Sequence, residues 1–190
     1  MNRFPQISRL ALSAAGLLFV AVTATAQTAQ PAPAAPTAAT QTRIHEADQT
    51  FITDGTKTVS TQRDAARIAD SRTSDSQVKA FAQRVSTEDA KIIQSMRAAS
   101  PRGIDVPAND PDTTVLDSIK TLRGAEFDKA YIEQVALAGQ QKTISAFQAE
   151  IASGRDTKLK EVARQSLPIL QAHYAEAQKL AQRHHLASAQ

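Results

Sequence analysis

The sequence has no cysteine and few aromatic residues. Without cysteine, the chain has neither a disulfide framework nor a cysteine for lipid attachment after a leader. Aromatic residues make up only 4% of the sequence, and no segment alternates apolar and polar residues as a half-buried strand does. These absences favour an all-α protein.

A long apolar run and a block of basic residues are also missing. The apolar stretch over residues 10–22 is shorter than the roughly 20 residues that cross a bilayer. Loss of residues 1–26 removes Arg3 and Arg9, so 22 basic residues become 20 against 19 acidic ones and the net charge falls from +3 to +1. Charges of both signs alternate along the predicted helices. We therefore expect no nucleic-acid partner and no transmembrane segment in the mature chain.

Residues 1–26 have the pattern of a signal peptide. Arg3 and Arg9 form a basic start, residues 10–22 an apolar core, and residues 24–26 (ATA) a small-residue cleavage site. An uncleaved anchor is the alternative, and the short apolar core argues against it. The sequence predicts cleavage before Gln27 and a protein that is periplasmic or secreted.

The mature chain divides into two parts. Residues 27–43 are almost entirely Ala, Pro, Thr and Gln, with no apolar period, and this composition predicts a disordered tether. Residues 44–187 have a length that suits one domain with one core.

Apolar residues recur every three or four positions along most of this domain. The period predicts helices over 44–71, 75–99, 111–122, 125–153 and 157–186. Ser74 and Gln77 have the spacing of a capping box, Gly154 is expected to end the fourth helix, and Asp156 to cap the fifth. Pro168 is expected to bend the fifth helix. The fold class that we predict is an antiparallel four-helix bundle, with a short extra helix in the connection between the second and third bundle helices.

Four polar residues take apolar positions in the stripes of the long helices: Gln62, Glu88, Gln140 and His173. Each is in step with apolar residues three or four positions away, so we expect one polar layer inside the bundle. A hydrogen-bonded structural network is the favoured interpretation. A single metal on Glu88 and His173 is the alternative. It would be held weakly, because even zinc ordinarily takes three protein ligands. No Glu-x-x-His motif occurs, which argues against a di-iron site.

Several segments resemble one family of exported bacterial proteins. They are VKAFAQRV at residues 78–85, GAEFDKAY at 124–131 and LPILQAH at 167–173. Together they are similar to the domain-of-unknown-function 4142 family, over roughly residues 46–182. The resemblance implies a ferritin-like helical bundle, often labelled as an outer membrane or periplasmic protein, with no established reaction.

The chain departs from the family pattern within the polar layer. Family members usually carry histidine at the positions of Glu88 and Gln140 and a glutamate near Gln62 or Asp64, whereas His173 is kept. Amide side chains are poor ligands for transition metals, so the departure weakens any metal role.

The resulting expectation for function is an exported, non-enzymatic helical protein of the cell envelope with an interaction or stress-related role. It has no predicted cofactor, and its partner is an unidentified envelope protein or surface. The alternative is a metal-binding or redox helper that uses a degenerate ferritin-like site around Glu88 and His173. The pattern leaves open whether these two side chains form an ion pair or a neutral hydrogen bond.

Overall fold

The computed structural model describes residues 44–186, and within this range all regular secondary structure is helical. Five helices follow one another in the described range, and two of them contain a π-helical segment. Their bounds are α1 with Glu46–Thr50, π-helical Phe51–Gly55 and Thr56–Arg72; α2, Ser76–Ala99; α3, Thr113–Ile119; α4 with Gly124–Ala130, π-helical Tyr131–Gly139 and Gln140–Ser153; and α5, Thr157–Arg183.

The observed helix ends agree with the predicted ends to within a few residues, but two starts are corrected. The cap of α2 is Asp75, whose Oδ1 accepts the N–H groups of Gln77 at 2.7 Å and Val78 at 3.0 Å. Ser74 is therefore not the cap. The short helix α3 begins after Asp112, which accepts the N–H of Thr114, and not at residue 111. In both cases an aspartate nearer the first turn supplies the acceptor.

At the turn between α4 and α5, the end of one helix and the cap of the next are the residues that the sequence predicts. Gly154 follows the last residue of α4 in an extended conformation. Asp156 caps α5 by accepting the N–H groups of Lys158 and Leu159. The helix then runs through Pro168 to Arg183 as one element.

The four long helices pack pairwise. The helix α1 packs along α2 and α4, and α5 packs along the same two helices. The short helix α3 lies against α1 and α4. No helix in residues 44–186 is both long and apolar enough to cross a membrane.

The buried apolar residues form two clusters at different heights along the helices. The first, which we name the Phe81 cluster, includes Ala65, Ala66, Ala69, Val78, Phe81, Val85, Ile119, Phe127, Tyr131, Leu137, Ala177 and Leu180. The second, the Phe147 cluster, includes Phe51, Ile52, Val59, Ile92, Met96, Phe147, Leu159 and Leu170. On each long helix a short stretch of residues separates the two clusters, and these stretches carry the polar side chains described next.

Candidate functional site

The four predicted polar residues lie where the two apolar clusters meet. Gln62 falls between Val59 and Ala65 on α1, and Glu88 between Val85 and Ile92 on α2. The other two fall between the clusters in the same way, Gln140 on α4 and His173 on α5. Gln62, Gln140 and His173 are buried, whereas Glu88 is partly exposed.

Gln62 donates its side-chain amide to the backbone of α4. Its Nε2 lies 2.9 Å from the carbonyl oxygen of Val135, inside the π-helical segment of α4. This approach depends on Gly139, because a Cβ at that position would lie only 2.5 Å from Nε2 of Gln62. π-Helical segments are frequent at functional sites, and this one presents a carbonyl group to a buried side-chain amide.

Gln140 makes a similar contact with α5. Its Nε2 donates to the carbonyl oxygen of Leu170 at 3.2 Å. Its Oε1 is buried and has no hydrogen-bond partner within the described residues. The two glutamines therefore bind backbone groups of neighbouring helices, and each links a different pair of helices.

Glu88 and His173 are brought into direct contact. The Oε2 atom of Glu88 lies 2.5 Å from Nε2 of His173. The imidazole is fully buried, whereas the side chain of Glu88 is 34% exposed. Glu88 also lines a groove of about 260 Å³ between α2 and α5, together with Lys91, Ser95 and Ser166. One carboxylate therefore links a buried imidazole to the solvent side of the molecule.

Asp89 is a fifth member of the site that the sequence reasoning missed. Its side chain is fully buried, and neither oxygen has a hydrogen-bond partner in the described structure. Its Oδ1 lies 4.0 Å from Nδ1 of His173, which is too long for a direct hydrogen bond. The imidazole thus lies between the carboxyl groups of two consecutive residues.

Burial controls the protonation of these groups. Burial raises the pKa of Asp89 well above its ordinary value, and the charge of Glu88 raises it further, against a smaller lowering by Arg63. Burial also lowers the pKa of His173 and, with a smaller lowering by the charge of Arg84, outweighs the opposing hydrogen bond and charge of Glu88. The pKa of the buried Tyr131 hydroxyl is raised by burial first and by the charge of Asp89 second. These directions favour a neutral imidazole that hydrogen-bonds to Glu88 over a buried ion pair.

The donor geometry does not favour a metal centre. Glu88 meets one ring nitrogen of His173 and Asp89 faces the other, so the two carboxyl groups and the imidazole do not converge on one point. In residues 44–186, no group of three or more His, Cys, Asp or Glu side chains is arranged to hold a metal ion. Gln62 and Gln140 direct their amide nitrogens at carbonyl groups and add no strong ligand. The arrangement is suited to holding a proton between Glu88 and His173, while Asp89 lies beyond hydrogen-bond distance of the ring.

Comparison with known proteins gives one match. A family model described as "Domain of unknown function (DUF4142)" matches residues 33–180, which is more than half of the chain. Among curated proteins and among solved structures, none gives a significant match.

Proposed function

The chain belongs to the domain-of-unknown-function family DUF4142, and on that premise we propose that it is an exported, non-enzymatic helical protein of the cell envelope that acts by binding a partner. The observation that carries this proposal is the internal use of the polar layer. Gln62 and Gln140 donate to backbone carbonyls, and His173 bonds to Glu88. Side chains engaged in this way tie helices together and leave the surface of the domain for recognition.

The proposal of export rests on the first 26 residues. Their basic start, short apolar core and small-residue cleavage site have the order that signal peptidase substrates share. These residues lie outside the described range. The Ala/Pro/Thr-rich residues 27–43, also outside it, would then separate the domain from the site of cleavage.

We also propose that the four long helices form an antiparallel, ferritin-like bundle. Along α1 and α4, Phe51 meets Phe147 edge to face, while Gln62, later in α1, bonds to Val135, earlier in α4. The order of these contacts supports opposite directions for the two helices. The contacts of α2 with α5 are reversed in the same way, since Arg84 pairs with Glu176 and Glu88 with His173. The residues between α2 and α4, which include α3, would then form the one long connection of such a bundle.

Export is tested by sequencing the amino terminus of the protein recovered from its native host. We expect the mature protein in the envelope or external fraction, beginning at Gln27. A matched variant carries Leu17→Arg and Leu18→Arg, which interrupt the apolar core of the leader and leave the domain unchanged. We expect this variant to stay in the cytoplasm with residue 1 intact. Wild-type protein retained in the cytoplasm at full length would remove the basis of the proposal.

Partner binding is tested by photo-crosslinking in intact cells. A photoreactive residue at Lys91, in the groove beside Glu88, samples the α2–α5 face, and one at Lys57 samples the α1–α4 face. We expect one face to give a discrete crosslinked envelope component and the other to give none. Two results together would contradict a partner-binding role: equal, diffuse crosslinking from both faces, and no envelope phenotype in a strain from which the gene is deleted.

The contact between Glu88 and His173 is the one observation that favours the metal or redox alternative. Elemental analysis of the purified protein, with calorimetry using zinc, copper, iron and manganese, distinguishes the two hypotheses. We expect wild type and His173→Ala to bind each metal equally weakly, because no third strong donor joins the pair in the described residues. Tight binding by wild type that His173→Ala abolishes would replace our proposal with the alternative.

A further inference from the structure

A pair of buried acidic residues lies at the end of the domain, away from the polar layer. Asp48, in the first turns of α1, is 2% exposed, and Glu150, in the last turn of α4, is 1% exposed. The two carboxyl groups meet at the α4–α5 turn, since Asp48 accepts the N–H of Arg155 and the carboxyl group of Glu150 lies close to Gly154. Both oxygens of Glu150 are buried and meet no donor within residues 44–186. A proton shared between the two groups would turn a repulsive contact into a hydrogen bond.

Asp48 holds the start of α1 on the turn between α4 and α5. Its Oδ1 accepts the backbone N–H of Arg155 at 2.8 Å and that of Asp156 at 3.0 Å. These two bonds join segments that are more than one hundred positions apart in the chain. The position of Asp48 therefore decides whether the start of α1 stays docked on this turn.

The space for the pair is tightly limited. A Cβ on Gly154 would overlap the carboxyl group of Glu150, so the glutamate folds closely over the end of its own helix. Two surface grooves flank the pair: Asp48 lines one and Glu150 the other, and His45 lines both. Displacement of Asp48 would join these grooves and expose Glu150 to water.

The charged groups around Glu150 come from both sides of the contact. From the α1 side, Asp48 faces it directly, and His45, Glu46 and Asp54 line the adjoining groove. From the turn and α5, Asp156 adds negative charge and Lys160 adds positive charge. Acidic groups predominate, so the surroundings favour the protonated form of Glu150.

We propose that Asp48 and Glu150 form a proton-operated latch, in which one proton held between the two carboxyl groups keeps the start of α1 docked on the α4–α5 turn. Loss of this proton at alkaline pH releases residues 46–50. The π-helical segment Phe51–Gly55, which follows directly, is where the released part ends, because Phe51 is anchored by its edge-to-face contact with Phe147.

The direction of the pH effect follows from the environment of Glu150. Burial, followed by the charge of Asp48, raises the pKa of Glu150 from 4.5 to about 7, with Lys160 opposing. The docked state therefore binds more protons than the open state between these values, and docking weakens as the pH rises from 4.5 through 7. Between about pH 5.5 and about pH 8.5, these two values give an increase in the opening constant on the order of 30-fold.

Hydrogen exchange on the full chain tests the latch. Exchange of amides 46–55 is measured at both pH values, corrected for the intrinsic chemical rate, with amides 85–93 of α2 as an internal reference. In wild type we expect faster corrected exchange at alkaline pH in 46–55 and at the amides of Arg155 and Asp156, which donate to Asp48, with no change in the reference amides. In Glu150→Gln, whose amide donates to Asp48 without titrating, we expect protection at both pH values. Glu161→Gln, an exposed change on α5, should behave as wild type.

Asp48→Asn provides a second variant, since its Oδ1 keeps the two backbone bonds while the charge that acts on Glu150 is lost. We expect a smaller pH effect in this variant, because burial still raises the pKa of Glu150 while the second cause, the charge of Asp48, is gone. Wild-type exchange that does not change with pH, or a pH effect that survives in both variants, would overturn the latch. Protection of wild type at alkaline pH by calcium or magnesium alone, absent in Glu150→Gln, would show that the pair binds a cation and not a proton.

Discussion

At the scale of single residues, two neighbouring acidic side chains meet the same imidazole in different surroundings. Glu88 bonds to Nε2 of His173 and keeps contact with water through its groove. Asp89 faces Nδ1 and is fully enclosed, with no donor for either oxygen in the described residues. A buried carboxylate without a donor is costly, so Asp89 favours its protonated form.

The first prediction concerns the loss of stability as the pH rises above 3.8, the ordinary pKa of an aspartate. Burial raises the pKa of Asp89 above its ordinary value near 3.8, so the folded state binds more protons than the unfolded state as the pH rises past that value. Wild type should lose stability through this range until the raised pKa is passed, and Asp89→Asn should lose less. Urea unfolding at a series of pH values measures the difference. Asp117→Asn, at a 60% exposed site, serves as the control. Identical pH slopes for Asp89→Asn and wild type would exclude a buried, protonated Asp89.

The second prediction concerns the close approach of Gln62 to Gly139. Gly139→Ala places a methyl group 2.5 Å from Nε2 of Gln62, so the amide must leave the carbonyl of Val135. We expect a loss of about 1–3 kcal/mol in the free energy of unfolding, typical of overpacking in a buried site.

A double-mutant cycle identifies the cause of that loss. In a Gln62→Ala background the amide is gone and the nearest remaining atom to the added methyl group is the carbonyl oxygen of Gln134 at 3.3 Å, so Gly139→Ala should be less destabilising there than in wild type. Equal effects in both backgrounds would show that the glycine is needed for a reason other than Gln62.

The sequence contained a signal for Asp89 that pointed equally to its neighbour. From Val85, steps of three and then four residues lead through Glu88 to Ile92, while steps of four and then three lead through Asp89 to the same residue. Both residues fit the apolar stripe, and the structure buries Asp89 and leaves Glu88 at the edge. The choice depends on how α2 is rotated against α5, which the pattern within one helix does not determine.

At the scale of helices, periodicity predicted the long elements because each has a continuous apolar face over several turns. The two π-helical segments were not predicted, since they change the number of residues per turn without a distinctive composition. Their effect is visible in α4. Near the end of α4 the acidic Glu150 is buried, whereas the apolar Ile151 beside it is only half-buried. The π-helical segment Tyr131–Gly139 comes before this turn of α4 and changes which of the later residues face the core, which is consistent with the burial of Glu150.

The third prediction tests which residue begins α2. Asp75 accepts two backbone N–H groups of the first turn, whereas Ser74 is exposed and outside the helix. Asp75→Ala should lower the free energy of unfolding by about 1 kcal/mol, the usual effect of removing such a cap. Ser74→Ala is the matched control and should have no measurable effect. Thermal unfolding of both variants decides the point, and a larger loss for Ser74→Ala would restore the predicted capping box.

At the scale of the whole molecule, the polar layer divides the interior into two apolar halves. The Phe81 cluster lies on one side and the Phe147 cluster on the other, with Gln62, Glu88, Gln140 and His173 at the boundary. The heights of these residues were predictable, because each interrupts its own stripe. Their partners were not, since the carbonyls of Val135 and Leu170 are identified only when the helices are packed together.

The fourth prediction asks whether this layer stabilises the fold. His173→Leu alone leaves Asp89 buried beside an apolar side chain and removes the partner of Glu88, so it should lower the free energy of unfolding by about 1–3 kcal/mol, the usual cost of leaving a polar group without its partner. The combined change Glu88→Leu, Asp89→Leu and His173→Leu removes all three groups that require a partner. Its free energy of unfolding should equal that of wild type or exceed it by up to about 4 kcal/mol, because well-packed apolar residues often replace buried ionisable groups without loss of stability.

Urea unfolding at several pH values compares the single and the combined variant with wild type. The combined variant should also lose most of the pH dependence that Asp89 and His173 contribute. If it is less stable than His173→Leu, the layer is required for folding itself, since joining the two apolar clusters would then have failed to replace it. If it is more stable than wild type, the layer persists at an energetic cost. The next step would then be to test whether recognition or proton transfer at the groove beside Glu88 explains the presence of the layer.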